Sequence, residues 1–133
     1  GASMNKVKTH LMFQGDAEKA IELYTKVFKD FEVGVIDQYK EGEMGKAGSF
    51  KTASVNFAGH ELIVLDSPPV HKFDFTPSMS LFVDLESAEE LDAAFNQLSE
   101  SGEVLMPLGN YGFSQRFAWF KDAFGVSWQL NQP

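Results

Sequence analysis

DAEKAIELY, residues 16–24, returns in altered form as SAEELDAAF, residues 87–95, and this pair decides the fold. Each stretch opens on a residue that can cap a helix, Asp16 or Ser87, and continues with small and acidic residues. In the first, Ala17, Ala20, Ile21, Tyr24, Val27 and Phe28 recur at helical spacing and form one apolar stripe. In the second, Leu91, Ala94, Phe95 and Leu98 do the same. The offset is 71 residues, and it also matches Glu32-Val33 to Glu103-Val104. Ser87 with Glu90 forms a capping box, and Gly102 is positioned to end the second helix.

Outward from each helix, the order of elements is the same. Residues 7–13 read as a strand before the first helix, and residues 31–39, 50–57 and 61–65 as three strands after it. A polar, Gly-rich loop over 40–48 and a turn at Ala58-Gly59-His60 join those three. Pro68-Pro69 closes the run, and 70–77 reads as a linker. In the second half, 78–84 precedes the helix, and 103–106, 115–121 and 126–130 follow it, with a loop over 107–112. The expected fold class is α+β: two tandem βαβββ modules, about 4–69 and 76–133, in one domain over 4–133. One such unit cannot close a core alone. Two together make a cup-shaped, mostly antiparallel sheet of eight strands with the helices outside. Gly1-Ala2-Ser3, ahead of Met4, reads as a scar of expression.

Composition narrows the function classes. A net charge of −8 disfavours nucleic acid and anionic membranes, both of which recruit basic surfaces. No apolar run reaches the roughly 18 residues of a membrane span, and no signal peptide is evident, so a cytoplasmic location is expected. The absence of cysteine removes thiolate chemistry and Cys-based zinc sites. Thirteen phenylalanines must line a core, an interface or a pocket. No Gly-x-Ser-x-Gly elbow is present.

HLMFQGDAEKAIELYTKVF (10–28) and GEVLMPLGNYGFSQRFAWFKDAFGVSWQL (102–130) resemble the PhnB-like, 3-demethylubiquinone-9 3-methyltransferase-like branch of the glyoxalase/bleomycin-resistance (vicinal oxygen chelate) superfamily. The resemblance covers nearly the whole chain from Met4. It implies a cup holding a small-molecule ligand, and a homodimer. The methyltransferase label fits the residues poorly. An S-adenosylmethionine site of the usual kind wants a Gly-rich turn between a first parallel strand and a helix. Here Gly42, Gly45 and Gly48 lie between two antiparallel strands.

Metal-dependent members of the superfamily hold a divalent ion with His and Glu side chains on the first and later strands of each module. Carried over, those positions fall on Thr9 (with His10 adjacent), near Ile63 (with Asp66 further on), on Ser78 and on Gln129. A hard cation prefers carboxylates and imidazoles, so the expectation is no metal and no other cofactor. The opposing possibility is a rebuilt site of His10, Asp66 and Gln129.

The ligand-binding candidates are His10, Ser78, Tyr111, Phe113, Arg116 and Gln129. His10 reads either as a ligand or base, or as a half-exposed strand histidine. Gln129 can orient a polar ligand through its amide or serve a structural hydrogen bond. Arg116 either recognises an anion or pairs with Asp122 across the closing hairpin. Tyr111, Phe113, Phe117 and Trp119 form an aromatic cluster suited to core packing or to gripping a planar ligand. Trp128 belongs to the core or to an interface. The first expectation is therefore a binder of an aromatic or polar metabolite. The alternatives are a metal-dependent lyase, isomerase or dioxygenase of the glyoxalase type, and a dimer without a ligand.

Overall fold

The computed structural model describes residues 4–133. The three residues ahead of Met4, read above as a scar, lie outside the described residues. The chain divides into two compact units, one running through His71 and the other spanning Lys72–Pro133.

Among the described residues, the first unit contains β1 (Thr9–Phe13), α1 (Ala17–Val27), β2 (Phe31–Gln38), β3 (Phe50–Phe57) and β4 (His60–Asp66). The second contains β5 (Leu81–Asp84), α2 (Ala88–Leu98), β6 (Glu103–Gly109), β7 (Arg116–Lys121) and β8 (Ser127–Gln132). Each unit folds one four-stranded sheet, ordered β1-β4-β3-β2 and β5-β8-β7-β6. In both, the first strand runs parallel to the last and every other pair is antiparallel. The repeat seen in the helices is thus a repeat of topology.

Each helix covers one face of its sheet. In the first unit Leu11, Phe13, Leu62, Val64, Ala53, Val55 and Phe57 are buried. Strand register places them on one side, because side chains alternate. The ring of Tyr24 on α1 meets that of Phe31 at 5.6 Å, and the ring of Phe28, just past the helix, meets that of Phe57 at 5.0 Å. In the second unit Ala118, Phe120, Trp128 and Leu130 have no more than 0% exposure. Phe95 of α2 meets Phe120 edge-on at 5.3 Å. Each fully buried large apolar side chain contributes roughly 1.5–3 kcal/mol, so these two cores supply most of what holds the sheets to their helices.

Several local expectations are corrected. Asp16 makes no side-chain cap; its carbonyl accepts from Ala20 N–H at 2.9 Å. Ser87 does cap, accepting from Glu90 N–H at 3.1 Å. The second helix stops at Leu98, and Ser101 rather than Gly102 takes a left-handed φ, of 61°. Gly102 is required for another reason: a Cβ there would fall on the carbonyl oxygen of Lys121. The strand before α2 starts at Leu81, three residues later than read from sequence. β6 runs on through Pro107, which an edge strand tolerates because its outer N–H groups pair with nothing. Two register irregularities mark that stretch.

The glycine-spaced loop joins antiparallel β2 to β3, as the sequence suggested. Its order comes from Tyr39, which is buried and donates its hydroxyl to the Asp66 carbonyl at 2.5 Å. Gly45 lies flat on the Tyr39 ring, where any Cβ would intrude. Glu43 accepts from Lys40 N–H at 2.7 Å and pairs with Lys51. Lys51 Nζ in turn stands 5.7 Å from the Tyr39 ring centroid.

Candidate functional site

The face of each sheet turned away from its helix is where the polar and half-exposed residues collect. In the second unit the register arranges this open face in three cross-strand rows. Asp84, Asn131, Phe117 and Gly109 form one. Phe82, Gln129, Trp119 and Met106 form the next. Ser127, Lys121 and Glu103 continue the third, with Ser80 just ahead of β5.

A chain of hydrogen bonds runs through the second and third rows. Trp119 Nε1 donates to Ser127 Oγ at 2.9 Å. Ser127 Oγ lies 2.7 Å from Ser80 Oγ, which accepts from Gln129 Nε2 at 3.2 Å. Gln129 is thereby fixed through its nitrogen, leaving its carbonyl oxygen for other partners. In the first row, Asn131 Nδ2 donates to Asp84 Oδ1 at 2.8 Å. Asn131 Oδ1 is buried and lacks a hydrogen-bond partner.

An aromatic corner flanks these rows. Tyr111 and Phe113, from the loop after β6, stack with 14° between their planes. Both meet Phe117 edge-on, at 6.0 and 4.9 Å. Phe82 approaches Phe117 from the β5 side at 6.3 Å. Tyr111 is anchored by its hydroxyl, which donates to the Pro107 carbonyl at 2.5 Å. Its ring lies against Gly109. Phe117 is 3% exposed, whereas Phe82 and Phe113 are 56% and 61% exposed. Large apolar rings so open to solvent, on a buried aromatic base, form a surface suited to a planar partner.

The structure thus brings Tyr111, Phe113 and Gln129 onto one face. Ser78 lies apart, exposed in the turn before β5, with its Oγ 2.8 Å from Thr76 Oγ1. Arg116 lies on the α2 side, where it forms a two-pronged pair with Asp92, at 2.5 and 3.1 Å. That hydrogen bond holds the guanidinium pKa above its ordinary value. The expected Arg116–Asp122 pair does not form, since the two stand at opposite ends of β7 and beyond. Asp122 is consumed in the hairpin turn: it accepts from Phe124 N–H and Val126 N–H, and from Trp128 Nε1 at 2.9 Å. Trp128 is core.

In the first unit, His10 is exposed on the open face, opposite Ile63. Thr9 shares the α1 side and lies 2.8 Å from His60 Nε2. A groove of about 310 Å³ crosses the open face beside Glu32, Ser54, Asn56, Glu61 and Ile63. Glu61 pairs with Lys6, a hydrogen bond that lowers its pKa, and with Lys8 at 3.5 Å.

The donors for a divalent ion do not fit. Asp66 is three residues beyond Ile63 on β4, about 10 Å along the strand and on the opposite face from His10. Its Oδ1 already accepts Gly15 N–H at 2.7 Å. Among the described residues, no three His, Asp or Glu side chains group closely enough to hold a metal.

Sequence reading missed Phe82, Ser80, Ser127, Asp84 and Asn131. The signal was present in the closing strand, where Ser127, Gln129 and Asn131 alternate with Trp128 and Leu130. That alternation marks a whole polar row, of which only Gln129 was singled out.

Two βαβββ units of one topology define the glyoxalase/bleomycin-resistance/dioxygenase class of fold. A crystal structure of such a domain from Frankia sp. EAN1pec superposes with a TM-score of 0.66 at 16% identity, over 98% of each chain. PA1353 from Pseudomonas aeruginosa gives a TM-score of 0.82 at 23% identity, covering 96% of this chain and 97% of its own. A Bacillus cereus protein named for 3-demethylubiquinone-9 3-methyltransferase and PhnB is 44% identical, with a TM-score of 0.89. That alignment covers 97% of this chain and 100% of the other. No curated protein matches. The model of the 3-demethylubiquinone-9 3-methyltransferase family matches residues 5–131, and the chain belongs to this PhnB-like family. Among the described residues, no helix is long and apolar enough to cross a membrane.

Proposed function

We propose that this chain binds a small molecule bearing a planar apolar ring on the open face of its second sheet. The observation that carries this reading is the corner in which Phe82, Tyr111 and Phe113 stand exposed over a buried Phe117, beside the fixed amide of Gln129. A ring laid against Phe82 and Phe113 removes exposed apolar area from water, about 25 cal/mol for each Å². Gln129 then orients a polar substituent through its carbonyl oxygen.

Binding by this route uses no metal, in keeping with the donor geometry around His10 and Asp66. It also uses no methyl donor: the Gly42, Gly45, Gly48 loop is accounted for by packing on Tyr39 and by its turns. The proposal extends to a single domain over 4–133, working in the cytoplasm as a homodimer, with modules at about 4–69 and 76–133. His10, exposed on the open face of the first sheet, is proposed separately, as a contact for a ligand of that unit alone. Ser78 and Arg116 have less support, one lying in an exposed turn and the other held by Asp92.

Trp119 is the natural reporter, since it shares the row of Gln129 and Phe82 while Trp128 is fully buried. Titration with naphthalene-sized planar compounds is expected to change Trp119 emission saturably. A Trp119→Phe variant is expected to lose that response. No saturable change with any planar compound would contradict the proposal.

A further inference from the structure

We infer that the row formed by Asp84 and Asn131 is a subsite for an organic cation, an ammonium or guanidinium group carried by the ring-bearing ligand. The inference rests on the reading above and names the chemistry of the ligand's polar end.

Three observations converge. First, the two rows beside the aromatic corner hold three acceptor oxygens with no donor against them: Asn131 Oδ1, which is buried, Gln129 Oε1 and the second carboxylate oxygen of Asp84. Both amide nitrogens are held in place, Asn131 Nδ2 by Asp84 and Gln129 Nε2 by Ser80, which fixes the direction of their carbonyl oxygens. Such a row is complemented by a donor, and donor-rich cations offer several N–H groups at once. Second, Asn131 is only 9% exposed, and a buried acceptor without a donor is unfavourable until something satisfies it. Third, Phe117 stands in the same row, opposite Asn131, and Phe82 in the row beside it, and an aromatic face attracts a nearby cation.

The surrounding charges agree. Arg116 is turned to the α2 side and neutralised by Asp92. Lys121 stands in the third row, beside Glu103 on β6. The carboxylate of Asp84 is therefore the charge next to the rings. Asn131 Oδ1 is covered in the unliganded chain, so admitting a donor requires a side chain to move. Phe82, more than half exposed on the β5 side, is the ring with room to do so.

The test compares three probes of matched size: phenethylamine, phenethyl alcohol and 3-phenylpropionate. Affinities are read from side-chain amide signals of Asn131 and Gln129 in ¹H–¹⁵N spectra and from Trp119 emission. Phenethylamine is expected to bind about tenfold more tightly than the alcohol, and the carboxylate more weakly than either. Asp84→Asn, at an exposed position, is expected to bring amine and alcohol within about threefold of each other. Asn131→Leu is expected to weaken the amine more than the alcohol.

Equal binding of amine and alcohol, or preference for the carboxylate, would overturn the cation subsite and leave the ring-binding reading intact. An amine preference that survives Asp84→Asn would also overturn it, by tracing the effect to the net charge of −8 instead. Failure of all three probes to bind at tens of millimolar would overturn the ring-binding reading and the subsite together.

Discussion

The indole of Trp128 donates through Nε1 to Asp122 Oδ2 at 2.9 Å, joining a fully buried side chain of β8 to the turn that begins it. The same carboxylate accepts Val126 N–H at 3.0 Å and Phe124 N–H at 2.9 Å. One acid thus satisfies three donors and fixes where β7 ends and β8 starts. That register in turn decides which residues of β8 face the open side.

Asp122→Ala leaves these donors without an acceptor in a site only 3% exposed. A loss of about 2–4 kcal/mol is expected, measured by urea denaturation. Arg116→Ala removes a pair whose partners are both about one-third exposed, and the unfolding midpoint should barely move. The opposite ranking would contradict this assignment of the two residues.

Gly102→Ala forces a methyl group onto the carbonyl oxygen of Lys121, where the backbone has no room to yield. The expected cost is about 2–3 kcal/mol, seen as a fall in the unfolding midpoint. Gly112→Ala, where a Cβ meets open space, should cost less and reflect only its φ of 95°.

Much of this was legible beforehand. Two helical stripes separated by a fixed offset gave the repeated topology, because helical and strand periodicities differ and both were clear. The pairing of Arg116 was not legible. Sequence places Asp122 nearer in number, but Asp92 is nearer in space once α2 crosses the sheet. His10 and Thr9 could not be told apart by neighbouring position alone. Only the register with Ile63 shows which of them faces away from α1. Phe82 was passed over because Leu81, Phe82 and Val83 are all apolar, and an unbroken apolar run in a short strand does not show which side chain faces outward.

Acid should loosen the loop between β2 and β3. Glu43 is held below its ordinary pKa of 4.5 mainly by the hydrogen bond from Lys51. A depressed carboxylate pKa stabilises the folded state above the unfolded value, and that contribution is lost as pH falls through the folded value. Amide exchange in residues 39–49 is therefore expected to rise, relative to the rest of the chain, as pH falls below the ordinary value of 4.5. In Glu43→Gln the same exchange should already be raised at pH 7 and show no such step.

Phe113→Ala separates binding from stability. Its ring is 61% exposed, so truncation should change the unfolding midpoint little, yet weaken a planar ligand about tenfold. Phe117→Ala, at 3% exposure, should lower stability by about 3–5 kcal/mol. Equal stability losses at the two positions would contradict the division into an open rim and a buried base.

The central claim is that the open face of the second sheet is the binding surface. Chemical-shift mapping during a phenethylamine titration tests it most directly. The account predicts saturable shifts concentrated at Phe82, Asp84, Tyr111, Phe113, Phe117, Gln129 and Asn131. Shifts confined instead to the first unit, around Glu32, Ser54 and Glu61, would contradict it.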